Sequence, residues 1–262
     1  MTDTGYSAQR TVMESHAGQA CTAATEGDFQ RQSDIYQESN VHQESNTHQE
    51  SNAHRESNHH QFTLQWAQAA DGKPLCWRVE QEDPARTRLG VDDHTLTLDS
   101  AAGLTVWLDQ PLSGRYRISY LREVLVQGQP NDRLSDLNQF WAAWDPARAS
   151  LFTRHGVLGE YDNLALYYVG MGGNWNSTTR FRYYNGHGER QLLGEFTDEA
   201  HLLRAGQRYR VTIEVDSTET RFLIDNQLYF RAHYAAPPAS GYFGLRTVFS
   251  RQAISQFSVT PL

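Results

Sequence analysis

Apolar residues recur at every second position through much of the chain beyond Phe62. In His94–Asp99, Leu96 and Leu98 face one way and Thr95 and Thr97 the other, and 104–108 alternates in the same manner. After Gly114, Tyr116, Ile118 and Tyr120 oppose Arg115, Arg117 and Ser119; further on, Tyr209, Val211, Ile213 and Val215 oppose Arg210, Thr212 and Glu214. A period of two, bounded by Gly, Pro, Asp and Ser, predicts half-buried β-strands. Strand-like runs also cover 75–80, 164–170, 179–184, 220–224, 228–232, 241–247 and 254–259, with Asp225-Asn226-Gln227 as a hairpin turn. Residues 131–154 break the rhythm and read as a short helix or a long loop. With no long amphipathic helix, the pattern predicts one all-β jelly-roll sandwich over 62–262.

Residues 1–61 read differently. Their large apolar side chains are few (Tyr6, Val12, Met13, Phe29, Ile35, Tyr36 and Val41), too few to offset the entropy of ordering the backbone. The expectation is a disordered, low-complexity tail. Within it a six-residue unit repeats, Gln37-Glu38-Ser39-Asn40-Val41-His42 and its successors up to His60. That period gathers no apolar face. One histidine per unit allows weak metal binding, but flexible ligands at this spacing impose no geometry, and replication slippage is the simpler origin.

Charge follows the same division. The chain carries 31 acidic and 23 basic side chains, net −8, and nine acidic against three basic fall in the first 60 residues. The remainder is close to neutral, without a basic stripe, which argues against a nucleic-acid partner. Nor is any stretch long and apolar enough to span a membrane. The start lacks a signal-peptide pattern, so the expected location is cytoplasmic. Of the two cysteines, Cys21 lies in the tail and Cys76 in the domain, so no disulfide is expected. Metal motifs are missing, and no cofactor is expected beyond a structural calcium that loop carboxylates and carbonyls could hold.

Four blocks carry a resemblance: Asn131 to Trp141; Tyr167-Tyr168-Val169-Gly170-Met171-Gly172-Gly173-Asn174 with Thr178 to Tyr183; Phe196-Thr197-Asp198 with His201-Leu202-Leu203; and Gly241 to Thr247 with Ser250 and Ile254. Over residues 75–260 the sequence resembles a bacterial family with a concanavalin-A-like jelly roll, whose relatives belong to systems degrading pectin and especially rhamnogalacturonan. The resemblance implies that fold and an acidic oligosaccharide as partner. It carries no catalytic assignment.

In a jelly roll, residues alternating with the core can line a groove on the outer face of a curved sheet. Arg180, Arg182 and Arg246 would share that face and could grip a uronate carboxylate, unless they merely cover a solvated strand. The loop 170–176 would supply the amides of Asn174 and Asn176 and the stacking ring of Trp175, with Trp144 and Tyr242 as further aromatic contacts. It is not a phosphate loop, since no Lys-Ser/Thr ending or helix follows. Acid and base candidates are Asp132, Asp136, Asp145, His155, Tyr168, His201 and His233. The leading three are His201, which stands in a family-like block, Tyr168 and Asp136. A lyase needs a base and cations beside a uronate; a hydrolase needs two facing carboxylates; a non-catalytic binding module needs only aromatics and amides. The sequence contains all three sets, and enzymatic action on uronate-containing oligosaccharides is the leading expectation.

Overall fold

In the computed structural model, the described residues are 12–14, 22–24, 62–69, 72–92, 94–234, 238 and 240–262. Sixteen strands follow in chain order: β1 (Val12–Glu14), β2 (Thr22–Ala24), β3 (Phe62–Gln68), β4 (Pro74–Gln81), β5 (Thr87–Asp92), β6 (Thr95–Leu108), β7 (Leu112–Ser113), β8 (Tyr116–Val124), β9 (Leu137–Trp144), β10 (Ala165–Gly172), β11 (Thr178–Asn185), β12 (Arg190–Phe196), β13 (Arg208–Val215), β14 (Glu219–Ile224), β15 (Gln227–His233) and β16 (Ser240–Pro261). All pairings are antiparallel. The all-β jelly-roll sandwich expected from the periodicity is present.

One sheet runs β12-β11-β10-β9-β16-β6-β4-β3, and β1 and β2 extend it. The other runs β15-β14-β13-β8-β16. The long strands β6 and β16 serve both. The first half of β16 pairs with β9 and its second half with β8, and the register shifts between Val248 and Ser250, where Phe249 adopts φ +44°. This bulge lets one strand bend from one layer into the other.

The core lies between the layers. Trp66, Trp77, Phe243 and Phe257 pack together at one place, and Trp141, Phe181, Phe222 and Phe230 at another. Buried indole groups donate across it, Trp141 to Thr220 Oγ1 at 2.9 Å and Trp77 to the Trp66 carbonyl at 2.8 Å. Strand β8 alternates buried and solvent-facing residues as its pattern predicts. The turn Asp225–Asn226 has positive φ at both positions, as a tight hairpin requires.

Two expectations are corrected, one on residues 131–154 and one on the cysteines. Residues 131–154 contain strand β9 instead of a helix, and a left-handed residue at Ala142 (φ +49°) interrupts its alternation. The N-terminal segment carries β1 and β2, with Val12 registered against Leu64; the hexad repeat lies outside the described residues. Cys76 is disulfide-bonded, and its bonding partner lies outside the described residues. The contrary expectation assumed a tail independent of the sandwich, whereas β1 adds to β3, the neighbour of β4. No helix among the described residues is long and apolar enough to cross a membrane.

Arg122 is fully buried on β8 and bonds only neutral acceptors: Gln252 Oε1 at 2.6 Å, the Asn138 carbonyl at 2.7 Å and the Arg246 carbonyl at 2.8 Å. Burial pulls its pKa down to about 10. It ties β8 to β9 and β16, the strands that carry the site below. Arg122→Ala would leave these acceptors without their donor, and charge-assisted bonds contribute about 1.5–3 kcal/mol each. The expected loss of stability is about 3 kcal/mol or more, checked by the urea midpoint; a loss below about 1 kcal/mol would show that the tie is dispensable.

Candidate functional site

The register across the first sheet decides which residues meet on its outer face. One row reads Arg182–Tyr168–Phe140–Gly244–Trp107 across β11, β10, β9, β16 and β6. The next reads Arg180–Gly170–Asn138–Arg246–Thr105, continuing to Glu80 on β4. Arg180, Arg182 and Arg246 therefore do share a face. Arg180 and Arg246 are not on adjacent strands, however, because β10 and β9 lie between them.

A segment linking β9 to β10, residues 145–164, folds down onto half of this face. Leu151, Tyr161 and Leu164 pack with Trp107, Phe140, Leu166, Tyr168 and Tyr184 in a second apolar cluster. Glu80 pins it from the sheet, accepting from Trp107 Nε1 at 2.8 Å, the Tyr161 hydroxyl at 2.7 Å and the Arg154 backbone N–H at 3.1 Å. Burial raises the Glu80 pKa, and these three hydrogen bonds oppose the rise. Arg154 in turn bonds Asp145 at 2.7 Å and the carbonyls of Leu151 and Glu160. This cover explains why β10, and β9 as far as Ala143, are buried on both faces.

Arg246 lies beneath the cover. Its Nη1 donates to Thr105 Oγ1 at 2.9 Å and to the Gly156 carbonyl at 2.8 Å, and its guanidinium carbon stands 5.1 Å from the Tyr161 ring centroid. The expectation that Arg246 leaves the core as an accessible contact is thus corrected: it is 1% exposed. Its Nε and the Oδ1 of Asn138, itself 2% exposed, have no hydrogen-bond partner among the described residues. Each such group costs about 1–3 kcal/mol. On the next strand Gly170 leaves room that a side chain would fill, since a Cβ there would collide with the Tyr168 hydroxyl and press on Asn138 Oδ1. Burial holds the Tyr168 phenol well above its ordinary pKa, against the pull of Arg246 and Arg182. Arg180 is paired with Glu195 and Arg190 with Asp162. Arg182, between them on β11, forms no ion pair among the described residues and lies 6.0 Å from the Tyr168 ring centroid.

Asp136 joins this cluster to the end of the sandwich. It accepts from Asn138 Nδ2 at 3.3 Å, Ser135 Oγ at 2.8 Å and the Arg133 guanidinium. Arg133 also covers the rings of Trp175 (5.0 Å) and Phe249 (5.5 Å). Trp175 belongs to a turn in which Asn174, Trp175 and Asn176 all have φ between +52° and +60°. Left-handed backbone costs roughly 1–2 kcal/mol per non-glycine residue. The turn is held by a two-way amide bond of Asn176 to the Leu203 backbone, both contacts at 2.9 Å.

The predicted residues thus separate into groups. Tyr168, Arg182, Arg246 and Asp136 come together, while Arg180 stands beside them but is already paired. Asn176 is used in bracing rather than offered to a ligand, and Asn174 is exposed on the turn, where its carbonyl accepts from Ser177 Oγ. Trp175 is 76% exposed. Trp144 and Tyr242 lie towards the other end of β9, where Tyr242 packs on Phe152. His201 is separate: it stacks on Phe196 and bonds Asp198 at 2.7 Å. His155 bonds Glu160 on the cover, and His233 lies 3.5 Å from Glu219. The sequence reading missed Asn138, Arg133 and the cover; polar Asn138-Gln139 inside the apolar run 137–144 was the available signal. Among the described residues no group of three or more His, Cys, Asp or Glu could hold a metal ion.

The profile of a family described as a domain of unknown function, DUF6250, matches residues 98–257, more than half of the chain. No curated protein sequence matches. Among solved structures, a protein of unknown function with a galectin-like fold from Bacillus subtilis is similar at 18% identity and a TM-score of 0.56, covering 71% of this chain and 89% of its own. The exoplasmic/lumenal domain of VIP36 in its Ca2+-bound form is similar at 12% identity and a TM-score of 0.52, covering 75% and 87%. A carbohydrate-binding module, CBM66, from Bacillus subtilis is similar at 11% identity and a TM-score of 0.48, covering 70% and 94%.

Two predictions follow from how the site is held. Hydrogen bonds from Arg251 and from the backbone of Gln127 and Gln129 pull the Asp132 carboxyl down to about 2. A depressed carboxylate stabilises the fold above its unfolded pKa, and that contribution disappears as the pH falls from about 4 to about 2. Asp132→Asn should therefore lose roughly 2 kcal/mol at neutral pH and show a flatter stability curve across that window, measured by denaturant titration. The second concerns the turn. Trp175→Ala should change stability by under about 1 kcal/mol, whereas Asn176→Ala, which strands both Leu203 backbone groups, should cost about 1–3 kcal/mol. Thermal unfolding of the two variants checks the order, and equal losses would refute it.

Proposed function

The chain belongs to the DUF6250 family, whose description assigns no activity, so function is read from the site, and we propose that this is a glycan-binding domain for oligosaccharides bearing a carboxylate. The observation that carries the reading is Arg182. It is the guanidinium on the uncovered part of the outer face that no ion pair engages among the described residues, and it stands beside the Tyr168 ring. A planar guanidinium suits a carboxylate. Tyr168, held protonated by burial, supplies a phenolic donor beside it. Trp175 offers an exposed ring for stacking at the end of the same strands. Uronate-containing chains of the rhamnogalacturonan type combine hydroxyls and carboxylates as this surface requires.

Hydrolysis fits less well, because the two oxygens of Asp136 are already taken by Asn138, Ser135 and Arg133. Elimination is the second reading, favoured by a phenol set between Arg182 and Arg246: Tyr168 would move the proton beside the uronate carboxylate and the cations would stabilise the developing charge. The raised phenol pKa opposes it, since a base must be able to lose its proton.

The test is calorimetric titration with rhamnogalacturonan oligosaccharides and their carboxyl-reduced counterparts, with ultraviolet absorbance followed in parallel. Arg182→Ala should weaken the acidic ligand about tenfold to hundredfold and leave the reduced one nearly unchanged. Tyr168→Phe should weaken both. Equal losses from Arg182→Ala for the two ligands would refute the carboxylate role, and growth of absorbance from a new double bond would replace binding with elimination.

A further inference from the structure

Among the described residues, Trp175 (φ +60°) and Phe249 (φ +44°) are the members of the Phe, Tyr and Trp set that stand on left-handed backbone. Asparagine and aspartate enter that region readily, as Asp136, Asn174 and Asn176 do beside them, whereas a bulky side chain carries a cost of about 1–2 kcal/mol. Glycine would make either bend without it. Both rings also face solvent, at 76% and 37% exposure. Both lie against one guanidinium: the Arg133 carbon stands 5.0 Å from the Trp175 ring centroid and 5.5 Å from that of Phe249. An exposed cation–π contact contributes about 0.5–1 kcal/mol, less than one left-handed aromatic residue costs. Stability alone therefore does not account for these two rings.

Arg133 joins the two segments that carry them. Its Nε donates to the Phe249 carbonyl at 2.9 Å, and its Nη2 donates to the Val248 carbonyl and the Asp136 carboxylate. Its side chain is 16% exposed, and Asp136 matches its charge. The rings thus present apolar area around a cation that is already neutralised. Resting on the glycan-binding reading above, we infer that Trp175 and Phe249 form one stacking platform for a neutral sugar residue, with Arg133 as the positioning residue that holds both rings. The C–H face of a pyranose suits such rings, and a uronate carboxylate gains nothing from a guanidinium that Asp136 engages. Arg182 takes the acidic residue and the platform a neutral one, so the ligand class is an oligosaccharide that contains both. Tyr168, the cross-strand partner of Arg182, lies four residues from Gly172 at the end of β10, about 13 Å of strand, so no single sugar reaches both places.

The test is calorimetric titration of the full chain with rhamnogalacturonan oligosaccharides and with their carboxyl-reduced counterparts. Trp175→Ala and Phe249→Ala should each weaken both ligands by the same factor, about threefold to tenfold, and Trp175→Phe should recover most of the loss. Arg133→Gln should weaken both ligands likewise, and adding Trp175→Ala to it should cost little more, because Arg133 acts through the ring. Independent, additive losses would overturn the positioning role. Folded Trp175→Ala and Phe249→Ala proteins that bind the carboxyl-reduced chains as tightly as the parent would overturn the platform while leaving glycan binding intact. Trp175→Ala, in a turn that Asn176 braces, keeps this comparison decisive should Phe249→Ala fail to fold. A loss confined to the acidic ligand would overturn the assignment of a neutral sugar. A parent chain that binds none of these saccharides would overturn the glycan-binding reading and the platform with it.

Discussion

Glu80 is a carboxylate held almost entirely out of water, and the outer face of the sandwich is organised around it. Placing a carboxylate there is unfavourable, as its raised pKa records, unless donors surround it. An indole, a phenol and a backbone amide do so, and two of the three come from the segment that covers the sheet. Leaving Glu80 partnerless would be costly, so the carboxylate and the cover hold one another in place. Trp107, Phe140 and Tyr161 pack against one another and keep that half of the face apolar.

The covered half defines what the open half can be. Under a bare sheet, Arg246 and Asn138 would line a groove running from edge to edge. With the cover in place they are buried, one capped by the Gly156 carbonyl, and each is left with a polar atom that has no partner among the described residues. Beside them Gly170 has no side chain to fill the room into which Tyr168 leans. The accessible chemistry shifts towards β11, where Arg182 forms no ion pair among the described residues. The cover thereby reduces the open part of the face to the side that β11 carries, with Arg182 as its guanidinium outside any ion pair among the described residues.

The aromatic turn at the end of the sheet shows a related trade. Three successive left-handed residues are unfavourable, and Asn176 is committed to the Leu203 backbone to hold them. What this bracing secures is an indole in solvent, with Arg133 across one face of it. Arg133 also reaches Asp136, so the turn and the polar floor are mechanically continuous through one ion pair and one amide bond.

Much of the fold was legible in the chain because strand alternation is a local property. Tyr116, Ile118 and Tyr120 need only a layer on one side to be buried, and their spacing declares it. The shared face of Arg180, Arg182 and Arg246 was legible for the same reason, since alternation carries through strand register. Which parts of that face meet solvent was not legible. The contacts that decide it join Glu80 to Tyr161 and Gly156 to Arg246, 81 and 90 residues apart, and no periodicity within a strand encodes them. Nor could sequence order show that Trp144 and Trp175 would stand towards opposite ends of β9 and β10, or that Asn176 would be spent on Leu203. The sequence by itself determined the strands, their faces and the residue types available; the folding of 145–164 onto the sheet decided which of those residues a ligand can reach, because that burial depends on partners brought together only by the tertiary structure.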